Sequence, residues 1–192
     1  MESNTDVNTK GAAKTGKGPT LIVAVEQNFP QEERIINDAL APKFFSGIDL
    51  FWLQLTKISV FRNWIVGLTE KALPGGWSCF LVRKRYIDER LLEAAENREV
   101  EAVVNLGAGF DTRLYRLEAL SNIPCWEVDQ PINIAAKERA LKRAFNTVPE
   151  NVTLAGMNFV EQEIGKSLKQ SGYQTGVRTF FVWEAVSRSE EH

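Results

Sequence analysis

The 192-residue sequence predicts an α/β protein, a Rossmann-like, doubly wound, mostly parallel sheet preceded by an N-terminal helical cap, and three observations predict it. From residue 100 onward, short apolar runs alternate with amphipathic stretches of about ten to fifteen residues, the pattern of right-handed βαβ crossovers. The first apolar run ends in Gly107-Ala108-Gly109, a tight turn leading into a helix. Earlier, Leu73-Pro74-Gly75-Gly76 forms a breaker cluster that divides this half from a helical N-terminal region.

In chain order, residues 1–20 are polar, rich in Gly, Lys and Thr, and have no apolar core; they read as a disordered leader, not a secretory signal. Residues 21–76 read as the cap. Within it, residues 31–45 carry Ile35, Ile36, Ala39 and Leu40 at helical spacing, with Pro42 expected to end that helix. Residues 48–72 are expected to form a second helix. Its 48–68 part resembles a membrane span in length, but Asp49, Lys57 and Arg62 fall inside it, so a buried or interfacial helix is expected.

Residues 77–192 read as the Rossmann-like domain. Residues 83–99 repeat apolar positions at Tyr86, Ile87, Leu91, Leu92 and Ala95 with charges between, as an amphipathic helix does. Residues 100–106 then read as a buried strand, 111–120 as a helix and 125–129 as a second strand. Residues 131–145 follow as a helix with Pro131 at its first position, 151–159 as a third strand, 160–170 as a helix and 177–186 as a fourth strand.

Composition narrows the chemistry. The 23 basic and 25 acidic residues give a net charge of −2 with no basic stripe, which argues against a nucleic-acid partner. The single histidine is the last residue, His192, so Ser-His-Asp and Cys-His catalysis and His-ligated metal are not expected. Cys79 and Cys125 lie far apart without metal-ligand spacing, which suits a reducing cytoplasm and no metal site.

Gly107 and Gly109 allow backbone N–H groups to approach a ligand at a helix N-terminus. Thr112 departs from the small residue of the dinucleotide fingerprint, so a plain βα turn stays open beside an NAD site. Asp129 ends the second strand about 20 residues further on, where a carboxylate accepts ribose hydroxyls. Its alternative is to cap the helix beginning at Pro131.

The segments V-R-K-R-Y-I-D-E (82–89), V-N-L-G-A-G-F-D-T-R-L-Y-R-L (104–117), E-V-D-Q-P (127–131) and F-F-V-W-E-A-V (180–186) resemble, in order and spacing, the motifs of the leucine carboxyl methyltransferase family, which includes many bacterial O-methyltransferases. The resemblance covers about 105 residues and implies a class I methyltransferase fold using S-adenosyl-L-methionine. It implies that Arg83 meets the cofactor's methionine carboxylate, that Gly107, Ala108 and Gly109 pass under its methionine moiety, and that Asp129 holds its ribose. Glu184 matches the family's acidic residue near cofactor and substrate and is the candidate catalytic residue; its alternative is an ordinary strand-end carboxylate. Asp111 and Arg113 are expected to shape the turn and its helix. Where the family shows an Asp followed by an apolar residue to recognise adenine, this chain has Asn158-Phe159, which retains an acceptor oxygen without the charge.

The acceptor implied is an oxygen of a small molecule or of a protein C-terminal carboxylate. A carboxylate, ionised at neutral pH, needs no base, which suits a chain with one histidine. Phe44, Phe45, Phe51, Trp52, Phe61 and Trp64 are expected either to cover the acceptor pocket or to form plain core. The family's sheet continues beyond strand four, whereas Ser-Arg-Ser-Glu-Glu-His follows Val186 here, so later strands are expected to be missing and strand four to lie on an exposed, association-prone edge. Two alternatives accompany the methyltransferase reading: an inactive, truncated cofactor-binding fragment, and an NAD(P)-dependent oxidoreductase.

Overall fold

A computed structural model describes residues 17–184. Most of the expected leader, the end of the expected fourth strand and His192 lie outside these residues. Helix α1 spans Gly18–Glu26 with Pro19 in its first turn, so Gly18, Pro19 and Thr20 are helical and not part of a disordered leader. Val23, Ala24 and Val25 of α1 are buried against Leu53, Trp77 and Leu81, which tethers this segment both to the cap and to the helix that follows it.

Residues 31–45 do not form the single helix expected. Two short 3-10 turns, Gln31–Glu33 and Ala41–Phe44, flank an irregular stretch. Side chains at the end of α1 claim its backbone: Glu26 accepts the Ile35 N–H at 2.6 Å, and Gln27 accepts the Asp38 N–H at 2.9 Å while donating to the Ile36 carbonyl at 3.1 Å. Of the four spaced positions, Ile36 and Leu40 are buried, Ile35 is half-buried and Ala39 is exposed, so the apolar spacing matched burial in part and helix not at all.

Residues 48–72 also divide, into α2 (Gly47–Leu55) and α3 (Ser59–Ala72). The break falls where the Thr56 hydroxyl donates back to the Leu53 carbonyl at 2.7 Å and accepts from Asn28 at 2.7 Å. After Gly75, whose φ of +73° suits a residue without a side chain, helix α4 runs over Gly76–Glu96.

The sheet is formed by β1 (Ala102–Leu106), β2 (Cys125–Asp129), β3 (Val152–Gly156) and β4 (Thr179–Trp183), in the order β3-β2-β1-β4, all parallel. Helix α5 (Arg113–Arg116) and a 3-10 turn (Glu118–Leu120) replace the longer helix expected over 111–120. Helix α6 (Pro131–Phe145) matches its expectation, and α7 (Ile164–Gln170) starts four residues later than expected.

Ala102, Val104 and Leu106 face Trp126, Val128, Met157 and Leu168 of α7 on one side of the sheet. Val103, Cys125 and Val152 face Leu91 of α4 and Leu114 of α5 on the other. Helices cover both faces, the doubly wound arrangement expected. The chain moves outward from β1 to β3 and then returns to β4 on the opposite side of β1, so strand order reverses between β1 and β4. Ligands of open parallel sheets bind at such a point, beyond the carboxyl ends of the strands.

Asp38 ties the cap to this point. It is 3% exposed, accepts the N–H groups of Leu40 and Ala41 at 3.1 and 2.9 Å and the Thr112 hydroxyl, and lies 3.3 Å from Arg116. Asp38→Ala leaves the Leu40 N–H and the Thr112 hydroxyl without an acceptor and removes one of the two carboxylates beside Arg116, while the Ala41 N–H keeps the backbone carbonyl of residue 38 at 3.3 Å; it is expected to lower unfolding free energy by about 2–4 kcal/mol. Urea denaturation of the two proteins checks this; a change below about 0.5 kcal/mol, ordinary for surface substitutions, would show the contact to be dispensable.

Candidate functional site

At the end of β1 the chain turns through Gly107 and Gly109, with φ of +63° and +45°. Left-handed backbone at two nearby positions explains why glycine stands at both. The amides of this turn do not point outward as expected. Gly107 and Ala108 donate to the Val128 carbonyl at 2.7 and 3.2 Å, and Gly109 donates to Asp129 Oδ2 at 2.6 Å. The turn is thereby latched to β2.

Asp129, 6% exposed, is the centre of that latch. Its Oδ1 accepts the Gln130 N–H at 2.6 Å and the Asn133 amide at 2.8 Å, so it also fastens the start of α6. Three donors fill three of roughly four lone-pair positions of a carboxylate, leaving one open. Gln130 Oε1 beside it is buried and has no donor.

Across the switch point, Glu184 follows β4 and receives two guanidinium groups. Arg83 Nε donates to Oε1 at 2.9 Å and Arg113 Nη2 to Oε2 at 2.9 Å, while Lys84 Nζ lies 3.6 Å from Oε2. Arg113 is fully buried and also binds Asp111, whose Oδ2 is 3.1 Å from Lys84. Asp88 of α4 completes the cluster between Arg113 and Arg116. Burial opposes ionisation of Asp111, but Arg113, Lys84 and Lys137 hold its carboxyl well below the usual range. For Asp88 burial prevails over Arg116 and Arg113, and its carboxyl is raised. Arg113 stays a cation because Asp111, Asp88 and Glu184 outweigh its desolvation.

The structure therefore gathers Arg83 and Glu184 on one side of the switch point, and Gly107, Ala108, Gly109 and Asp129 on the other. Asn158 and Phe159 follow β3 at the far edge. The Asn158 amide oxygen accepts the Val160 N–H at 3.1 Å, a local turn that occupies one of its two lone pairs. Phe159 packs half-buried against the core.

The aromatic residues of the cap divide. Phe44 and Phe45 are buried, and Phe45 and Phe110 line a cleft of about 530 Å³ between α1, α2 and α6 that also holds Lys17, Asn133 and Arg139. Phe51, Trp52, Phe61 and Trp64 instead form a ladder with successive ring centroids 5.7, 6.3 and 5.9 Å apart, and Trp52 and Trp64 are exposed. Among the described residues, no helix is long and apolar enough to cross a membrane, and no group of three or more His, Cys, Asp or Glu side chains could hold a metal ion.

Sequence reasoning passed over Lys84, Asp88, Asn105 and Gln130, all of which stand at this site. All four lie inside the quoted motifs, and Asn105 also interrupts an otherwise apolar buried strand, a position that calls for a hydrogen-bond partner.

The model of the family described as leucine carboxyl methyltransferase matches residues 17–188. A Mycobacterium tuberculosis protein is 28% identical over 180 residues, covering 91% of this chain and 50% of the relative. A Mycobacterium marinum protein is 32% identical over 106 residues (55% and 34%), and one from Streptomyces coelicolor is 39% identical over 88 residues (41% and 28%). The name each carries is that of an S-adenosyl-L-methionine-dependent methyltransferase. The chain spans about half the length of the first of these relatives.

Proposed function

The chain belongs to the leucine carboxyl methyltransferase family, and from that premise we propose that it binds S-adenosyl-L-methionine across the β1/β4 switch point and transfers its methyl group to an acceptor oxygen, a carboxylate in first place. The observation that carries this reading is a match of polarity. At one end of the site, Arg83 Nη2 is a buried donor without an acceptor; at the other, Gln130 Oε1 is a buried acceptor without a donor. The cofactor carries a carboxylate at one end and ribose hydroxyls further along, so each orphan meets the group it lacks. Asp129, with one open lone-pair position, supports the ribose assignment.

When bound, the cofactor supplies an electrophilic methyl on a sulfonium, already a good leaving group. The residues of this chain then need to position and to exclude water. Both oxygens of Glu184 accept from guanidinium groups, so Glu184 serves as an anchor better than as a base. An acceptor that is already ionised removes the need for one. In this reading residues 77–192 carry the cofactor, residues 21–76 cap the acceptor side, and a cytoplasmic setting suits the free thiols of Cys79 and Cys125. Among the described residues β4 pairs only with β1 and exposes Phe181 and Trp183, which supports self-association along that edge.

Calorimetric titration with S-adenosylhomocysteine and, in parallel, NAD tests the cofactor. Saturable binding of the former alone is expected. Binding of NAD alone would replace the reading with that of an oxidoreductase. Labelled-methyl transfer to a carboxylate acceptor then separates a working enzyme from a fragment that only binds.

A further inference from the structure

We infer that Arg113 is a second guanidinium in the seat for the cofactor's amino-acid end, sharing its α-carboxylate with Arg83 while Glu184 between them takes the α-ammonium. The inference rests on the cofactor reading above and goes beyond it by completing the seat.

Arg113 is 0% exposed, and its Nη1 has no acceptor. The rest of its fork is engaged, Nε by Asp111 at 3.2 Å and Nη2 by Glu184 at 2.9 Å. Arg83 repeats the pattern, with Nε on Glu184 and Nη2 buried without an acceptor. A third donor, the Asn105 amide nitrogen, is buried and unpaired on β1, in register with Val182 and two residues before Gly107. Leaving such groups unmade is costly, and two of them on guanidinium groups that share one carboxylate, with a third on the adjoining strand, mark a place built for further acceptor oxygens.

Charge narrows what brings those oxygens. Arg83, Lys84, Arg113 and Arg116 face Asp38, Asp88, Asp111 and Glu184, cations and anions in equal number. A bare anion would enter this buried cluster uncompensated. An α-amino-acid end brings both signs: its carboxylate supplies acceptors to Arg83 Nη2 and Arg113, and its ammonium supplies donors to Glu184. Guanidinium forks match a carboxylate in geometry as well as charge.

The test measures the affinities of the unaltered full chain and of Arg83→Gln for S-adenosylhomocysteine and for its decarboxylated analogue, by calorimetry. Loss of the carboxylate is expected to weaken binding about 100-fold in the unaltered chain and still about tenfold in Arg83→Gln, each charge-assisted contact being worth roughly a factor of ten. Equal affinity of Arg83→Gln for the two ligands would assign the carboxylate to Arg83 alone and overturn the inference. Arg113→Lys supplies the second arm: it is expected to weaken S-adenosylhomocysteine about tenfold and to leave 5′-methylthioadenosine, which lacks the amino-acid end, unchanged. Equal weakening of both ligands would make Arg113 a purely structural ion. If Arg113→Lys does not fold, the Arg83→Gln comparison decides alone. Absence of S-adenosylhomocysteine binding by the unaltered chain would overturn the cofactor reading itself, and this inference with it.

Discussion

Lys137→Met is expected to lower the unfolding free energy by about 3–5 kcal/mol, the cost typical of breaking a buried ion pair from one side. Lys137 on α6 and Glu127 on β2 are both 0% exposed, with Nζ and Oε1 2.5 Å apart. The other oxygen of Glu127 accepts the Tyr115 hydroxyl at 2.5 Å. Burial pushes the Glu127 carboxyl up to about 7, against the opposing pull of Lys137 and of both hydrogen bonds. Without the ammonium it rises further.

The sign of the pH dependence follows. With a folded-state value near 7 and an ordinary value of 4.5, the folded chain holds the Glu127 proton over that range where the unfolded chain has released it. Glu127 therefore makes stability fall as pH rises from about 4.5 to 7, and the effect levels off above 7. In Lys137→Met the fall continues above 7. Urea denaturation at pH 6 and pH 8.5 is expected to show the larger loss at the higher pH; equal losses would mean that Glu127 does not titrate there. Adding Glu127→Leu to Lys137→Met removes the stranded carboxyl and is expected to restore most of the stability.

That pair also marks where the sequence stops being legible. Strand β2 and helix α6 were readable to the residue, because the apolar run ends sharply at Asp129 and Pro131 fixes the first helical position. Glu127 within that run was not recognised as a buried charge, since its partner lies on another element and only the packing of α6 on the sheet brings the two together. Residues 31–45 failed for a related reason. Local spacing signals a helix, but Glu26 and Gln27 offer the backbone other partners, and such competition is invisible to periodicity.

At the site, the glycine turn and Asp129 could be read from spacing alone. Arg83 and Glu184, 101 positions apart, became candidates only through the family resemblance, and their direct pairing had no signal in the sequence. The burial of Arg113 had no local signal at all, because a basic residue in a short amphipathic segment looks like any solvated charge.

Asp129→Ala is expected to weaken S-adenosylhomocysteine binding about 100-fold and to lower stability by about 1–3 kcal/mol, because one carboxylate performs two tasks. The stability loss comes from the N–H groups of Gly109 and Gln130 and the amide of Asn133, which lose their acceptor together. The affinity loss comes from the ribose and from the glycine turn, which is no longer latched to β2. A ligand lacking the ribose 2′-hydroxyl separates the two causes. In the unaltered chain this deletion is expected to weaken binding about tenfold, and in Asp129→Ala to change it little, since the acceptor is already absent. If the deletion weakens both proteins equally, Asp129 never touches the ribose and its place at the end of β2 is explained by the turn and the helix start alone. The hydroxyl acceptor would then be Gln130, whose Oε1 lies buried and unpaired beside it, and Gln130→Ala would be the variant insensitive to the deletion.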